Sequence, residues 1–203
     1  IDTNTNPKCI RTSNGDITAR SIIIATGAEP RRAGFTGEAE FTGKGISYCA
    51  TCDANFCLGK TVYTIGGGNT AAQEALYLSK FANKVIMLVR RDKLRCSNKL
   101  ADSINLNQKI SILFNTVALS VGGHERIDEL VLLNTENNSK KIIRSDTDGE
   151  FFVFVFAGYS PATQPFIGTV QTDSDGYIIT DENMNTDISG IFAAGDVRKK
   201  QLR

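Results

Sequence analysis

The sequence predicts an α/β fold built on a parallel sheet, and three features carry the prediction. Residues 61–65 form a short apolar strand pattern that runs through Gly66, Gly67 and Gly68 into a helical pattern over 69–81, with a second strand at 85–89. That spacing makes a βαβ unit of about 30 residues, the size a right-handed crossover needs. Residues 116–146 read as three short strands joined by turns, a β-meander. Finally, the runs 22–27 and 191–196 mirror each other: apolar residues, a small residue, a glycine and a polar turn.

In chain order, 8–26 reads as a hairpin on the tight-turn pair Asn14-Gly15, closing with a β-branched run over 21–25. Residues 28–45 carry glycine, alanine and proline without periodicity, and predict a linker into a new unit. In the helix 69–81 the residues Ala72, Ala75, Leu76 and 78–82 keep an apolar face at helical spacing, and Asn83 closes it. A second helix is expected over 97–107 with Ser97 as N-cap, then a third parallel strand over 110–114. The meander strands are 117–121, 127–134 and 140–144, turning at Gly122-Gly123 and Asn137-Asn138. A buried strand over 150–156 ends at Gly158 and Pro161, and Asp175-Gly176 marks a last hairpin. The architecture is a Rossmann-like, three-layer ββα domain with a β-meander.

Composition excludes several classes. The 203 residues are 41% hydrophobic, the content of an ordinary globular chain, and the net charge of +1 gives no electrostatic case for nucleic acid or a membrane surface. No stretch approaches the roughly 20 apolar residues of a membrane helix. The chain begins at Ile1 without a signal segment and ends in basic residues (Arg198, Lys199, Lys200, Arg203), so it is expected to be the middle of a longer protein. Its five cysteines are Cys9, Cys49, Cys52, Cys57 and Cys96. An odd number with one close pair fits a reducing, cytoplasmic compartment better than a secreted disulfide framework.

Two motifs carry chemistry. Gly66-x-Gly68-x-x-Ala71 fits the dinucleotide fingerprint, its glycines allowing a tight turn and close approach to a pyrophosphate at the N-terminus of the following helix. Asn69 and Thr70 fall in the same turn. After the second strand come Arg90, Arg91 and Arg95, where an acidic residue would take ribose hydroxyls in an NAD site. Arginines there suit a 2′-phosphate and so NADPH, the alternative being a solvated basic turn paired with Asp92. The second motif, Cys49-Ala50-Thr51-Cys52-Asp53, places two thiols at a spacing that can close a small disulfide, with Asp53 available for proton handling. A zinc site would need two more ligands, and Cys57, Cys96, Cys9 and His124 form no second close pair, so no metal is expected.

Taken together, Tyr48 to Asp53, Ile65 to Ala71, Glu74-Ala75-Leu76, Arg90-Arg91-Asp92 with Arg95, and Phe192 to Asp196 resemble the low-molecular-weight thioredoxin reductases, FAD- and NADPH-dependent pyridine nucleotide-disulfide oxidoreductases. The similarity runs through essentially the whole chain. Related peroxiredoxin reductases usually carry Pro-His between the cysteines, so the Ala-Thr pair is specific.

The resemblance implies an NADPH-binding domain over 31–158 that carries the cysteine pair, and a discontinuous FAD-binding domain of the same type in 1–30 and 159–203. It implies that Cys52 lies against the flavin, that Cys49 attacks the thioredoxin disulfide and that Asp53 donates the proton. It adds Glu74 to the NADPH site and places Ala25, Thr26, Gly27, Gly195 and Asp196 near the FAD. It also implies a homodimer, and hinges near 28–32 and 158–161 that let one domain rotate against the other. The sequence departs from the family in three places. The first glycine-rich motif, which grips the ADP half of FAD, is absent; so is the final helix near the flavin; and Val89 stands where the family often has histidine. Two rival readings therefore stand beside the reductase: a truncated nucleotide-binding fragment without activity, and a reductase for a glutaredoxin-like or peroxiredoxin partner.

Overall fold

Alternation and β-branching set the first strands. In the computed structural model, which describes residues 1–3, 5 and 7–199, β1 (Lys8–Thr12) and β2 (Gly15–Ala19) close as an antiparallel hairpin on the Asn14-Gly15 turn. Lys200 and Arg203 of the basic end lie outside the described residues. Next come β3 (Ile22–Ile24) and β4 (Ala28–Pro30). The chain then builds β5 (Ile46–Ser47), α1 (Ala50–Asp53) with a 3-10 turn over Ala54–Cys57, β6 (Thr61–Ile65), α2 (Asn69–Leu78) and β7 (Lys84–Leu88). It continues through α3 (Asn98–Leu106), β8 (Ile110–Leu113), β9 (Thr116–Gly123), β10 (Ile127–Asn134), β11 (Lys140–Arg144), α4 (Ser145–Asp148) and β12 (Phe151–Val155). The last strands are β13 (Tyr159–Pro161) and β14 (Ile191–Ala193).

Two units follow from this order: Arg31–Gly158, and Ile1–Pro30 together with Tyr159–Arg203. In the first, β5-β12-β6-β7-β8 form a wholly parallel sheet, and β11-β10-β9 form the antiparallel meander. One face of the sheet buries Val62, Val85, Met87 and Phe154 against Ala71, Ala72, Ala75 and Leu78 of α2 and Ile104 of α3. The other face buries Tyr63, Leu88, Phe151 and Val153 against Val121, Leu130, Leu132 and Ile143 of the meander. The result is the expected three-layer ββα arrangement. Burying each large apolar side chain contributes about 1.5–3 kcal/mol, so the two faces of this sheet supply most of the driving force for the unit.

In the second unit β3 and β14 pair in parallel, Ile22 against Ile191 and Ile24 against Ala193, over a core that includes Val170, Ile178 and Val197. The mirrored runs of the sequence are therefore neighbours. β4 and β13 pair antiparallel, Pro30 against Tyr159 and Ala28 against Pro161.

The stretch expected to be a linker is not one. Residues 31–45 fold into the Arg31–Gly158 unit, with Phe35 and Phe41 buried in the meander-side core. Glu38, 2% exposed, is the pin. Its carboxyl oxygens accept the Ala33 and Gly34 N–H groups at 2.9 and 2.7 Å and the Tyr48 hydroxyl at 2.8 Å. Burial, with the Glu38 carboxyl close by, pushes the Tyr48 hydroxyl up to about 12. A buried polar group is tolerated because it is satisfied by three donors.

Three local expectations are also corrected. The helix begun at Asn69 ends at Leu78, not 81, because the Ser79 hydroxyl takes the Leu76 carbonyl (2.8 Å) and receives the Asn107 amide (3.0 Å). Ser97 is the N-cap residue of α3 as expected, although its side chain makes no cap bond, and its N–H donates to Asn69 Oδ1 at 2.8 Å. Gly122-Gly123 belongs to β9, which runs through to Gly123 before the turn. At Asp175-Gly176 a single bridge, Thr172 with Ile178, replaces a hairpin, since Asp173 Oδ1 collects the Asp175 and Tyr177 N–H groups into a side-chain-held turn.

Glu38→Ala removes the shared acceptor of the Ala33 and Gly34 N–H groups and the Tyr48 hydroxyl and leaves a buried void, and is expected to destabilise the Arg31–Gly158 unit by about 2 kcal/mol. Urea unfolding followed by circular dichroism checks this, and an unchanged midpoint contradicts the pinning role.

Candidate functional site

Parallel strands deliver their C-terminal ends to one edge of a sheet. Past the end of β6 lies Gly66, past β7 lies Arg90, past β12 lie Phe156, Ala157 and Gly158, and past β5 lies Cys49. In open α/β sheets this is the edge that binds ligands.

The glycine turn is shaped by what it touches. Gly66 has φ +141°, and a Cβ there would lie 2.6 Å from the Phe156 carbonyl oxygen and 3.0 Å from Ala71 Cβ. A Cβ on Gly67 would meet Val89 at 2.8 Å. Gly68 is different: nothing lies within 4 Å of where its Cβ would be, so its free side faces open space at the start of α2. That opening belongs to a groove of about 490 Å³. Its walls include Gly66 to Ala71, Arg90, Arg91, Lys93 and Arg95 on the β6–β7 side and Arg31, Arg32 and Ala33 on the other. The arginine loop is tied to the glycine turn by the Arg95 N–H on the Gly67 carbonyl (2.7 Å). Backbone N–H groups at a helix start, with guanidinium groups on both walls, form a cradle for several phosphates. The residues fit a phosphorylated dinucleotide.

The sequence-expected residues divide accordingly. Gly66, Gly68, Asn69, Thr70, Ala71, Arg90, Arg91 and Arg95 meet in the groove, and Glu74 does not line it. Glu74 sits half-buried on α2, and burial raises its carboxyl above the usual range. Val89 is 3% exposed and packs beside Gly67, so the position takes an apolar side chain for steric fit. Arg31 and Arg32 were hidden in the apparent linker. Their signal was present, a basic pair beside a Gly-rich stretch, but only the fold turns it toward the groove.

Cys49 and Cys52 are joined as a disulfide, with Cα atoms 5.3 Å apart. Cys49 is the N-cap of α1, its Sγ accepting the Cys52 N–H at 3.2 Å. Ser47 Oγ holds the Cys49 backbone from both sides, accepting its N–H (3.0 Å) and donating to its carbonyl (3.3 Å). Ala50, Ala54 and Cys57 pack into the same core as Ala71, Ala72 and Ala75 of α2, so the disulfide helix and the cradle helix share one packed interior. Asp53 is half-buried, and its carbonyl accepts the Cys57 thiol at 3.8 Å. Among the described residues no group of three or more metal-ligating side chains occurs, and no helix is long and apolar enough to cross a membrane.

In the other unit, the parallel pairing of β3 and β14 brings Ala25, Thr26 and Gly27 beside Gly195 and Asp196. Added Cβ atoms on Gly27 and Gly195 would meet nothing within 4 Å, and the Thr26 hydroxyl donates to the Ala162 carbonyl at 2.7 Å. This edge offers open backbone and fits one margin of a flavin nucleotide.

A groove that fits a nucleotide and a disulfide thus stand on one edge of the same parallel sheet. The chain belongs to the pyridine nucleotide-disulphide oxidoreductases, whose family model matches residues 1–203. It is 43% identical over 204 residues to a thioredoxin reductase of Peptoclostridium acidaminophilum, covering all of this chain and 65% of that protein. It is 44% identical over 186 residues to the thioredoxin reductase of Listeria monocytogenes, covering 91% of this chain and 57% of that protein. The crystal structure of Lactococcus lactis thioredoxin reductase superimposes with a TM-score of 0.79 at 36% identity, over 96% of this chain and 63% of that one. The chain thus spans less than two thirds of the relatives it matches.

Two glycine substitutions separate shape from ligand. Gly66→Ala should lower stability and dinucleotide binding together, whereas Gly68→Ala should keep stability within about 1 kcal/mol yet weaken binding at least tenfold (on the order of 1.4 kcal/mol). Calorimetric titration beside thermal melts reads both, and equal binding by Gly68→Ala and the parent would remove the cradle.

Proposed function

We propose that the protein of which these residues are part is an NADPH-dependent flavoprotein that reduces the disulfide of thioredoxin. The observation that carries the reading is the disulfide at the same sheet edge as a groove lined by guanidinium groups and helix-start N–H groups. Family membership and relatives named as thioredoxin reductases support it. Gly66 to Ala71 would hold the pyrophosphate of NADPH, and Arg90, Arg91 and Arg95 its 2′-phosphate. Residues 31–158 are then the nucleotide domain, and 1–30 with 159–203 part of the FAD domain, with Ala25 to Gly27, Gly195 and Asp196 at its margin. FAD, when bound, supplies the two-electron relay between nicotinamide and disulfide. Cys52 and Cys49 would be the sulfurs reduced, Cys49 exchanging with the thioredoxin disulfide, and Asp53 would handle the proton released or taken up as the pair opens and closes. The single close cysteine pair among five cysteines supports a cytoplasmic location, and the resemblance to thioredoxin reductases supports a homodimer.

The test is spectroscopic. NADPH added to the FAD-loaded protein should bleach the flavin band and drive turnover with thioredoxin, and Cys49→Ser or Cys52→Ser should abolish that turnover. Full turnover in either variant sinks the proposal, and a panel of glutaredoxin-like and peroxiredoxin partners assigns the acceptor.

The nucleotide preference has its own check. Arg90→Ala with Arg91→Ala should weaken NADPH about tenfold or more while changing NADH little, because only the former carries the extra phosphate. Titration calorimetry with both nucleotides decides it; parallel losses for both would refute the assignment.

A further inference from the structure

The two sulfurs of the pair are not equivalent. Cys49 Sγ accepts the Cys52 N–H at 3.2 Å and lies 3.4 Å from Thr51 Oγ1. A disulfide sulfur has no proton, so in this contact the Thr51 hydroxyl is the donor. Among the described residues no donor reaches Cys52 Sγ. The Cys49 backbone is fixed independently of the S–S bond, through Ser47 Oγ on its N–H and its carbonyl, and Ser47 is buried.

Opening the bond takes two electrons. With one proton it leaves one thiol and one thiolate; the S–S bond breaks, both sulfurs are reduced and the proton goes to one of them. In the reductase reading the electrons come from a nicotinamide hydride through the flavin, and this inference rests on that reading only for their source. We propose that the Thr51 hydroxyl is the group that selects Cys49 as the thiolate of the opened pair, leaving the proton on Cys52. Hydrogen bonds to an ionised acceptor are about twice as strong as those between neutral groups, so the existing contact strengthens as charge arrives. Thr51 is exposed, so its hydroxyl can be removed without disturbing packing. Its position between the two cysteines gives the motif a chemical reason for a hydroxyl residue there, beyond helix formation.

The experiment needs neither flavin nor nucleotide. The protein is reduced with dithiothreitol, freed of reductant, and alkylated with limiting iodoacetamide from pH 5 to pH 9; mass spectrometry of peptides reads Cys49 and Cys52 separately. In the parent, Cys49 should label ahead of Cys52 at the acid end. Thr51→Val should slow Cys49 labelling at pH 7 by about fivefold and displace its pH profile upward, with Cys52 unchanged. Thr51→Ser should restore the parent profile. An unaltered Cys49 profile in Thr51→Val overturns the inference. So does equal slowing of both cysteines, which marks a structural disturbance, or failure of serine to restore. A wrong reductase reading would instead leave this labelling intact while NADPH failed to reduce the flavin-loaded parent.

Discussion

Everything at the functional edge depends on all five strands of the central sheet running the same way. Parallel pairing forces each connection to cross back over a face, and so gathers the strand C-termini on one side. The glycine turn, the arginine loop, the Phe156–Gly158 corner and the cysteine pair come from residues up to 109 apart in sequence, yet they share that edge by topology alone. Side-chain size then sets how close they come. The alanines of α2 let α1 and its 3-10 turn pack down onto the same core, which a stripe of leucines there would have prevented.

A second constraint operates at the side of the sheet away from the helices. The Glu38 carboxyl bonds the backbone at Ala33 and Gly34 and the hydroxyl of Tyr48, so one buried group ties a wall of the groove to the residue preceding Cys49. This is a rigid link of few atoms in a low-dielectric setting, where satisfied polar networks specify a single conformation. The groove therefore does not depend on surface ion pairs for its shape. Its two walls are fixed from below, one by Glu38 and the other by the Arg95–Gly67 backbone bond and the Val89–Gly67 contact.

How much of this the sequence announced depended on periodicity. The βαβ unit was legible because strand and helix patterns alternate cleanly over 61–89, and the meander because apolar strand runs recur over 117–144, although Gly122-Gly123 lies at the end of a strand and not in the turn. The stretch 31–45 was illegible for the opposite reason. Phe35, Glu38 and Phe41 are buried without belonging to any regular element, so no period of 2 or 3.6 betrays them, and the surrounding glycines mimic a linker. With that stretch went Arg31 and Arg32, two of the six basic side chains that line the groove. Glu74, which the family resemblance adds to the site, sits half-buried on α2 and is not among the residues lining the groove. Local sequence gives elements and motifs; which residues oppose them across a cleft is fixed by long-range packing.

The third cysteine of the region shows how a thiol can sit five residues from a reactive disulfide without scrambling it. Exchange requires a thiolate with access to the sulfur it attacks. Cys57 is 0% exposed in the helix-side core, and burial pushes its thiol up to about 12. At neutral pH it is overwhelmingly protonated, and its sulfur points into alanine and leucine contacts and the Asp53 carbonyl. Both requirements for attack are removed by the same packing that seats α1 against α2. The pair Cys49–Cys52 is thus isolated chemically from Cys57 by the core beneath it, with Cys52 exposed and Cys49 partly so.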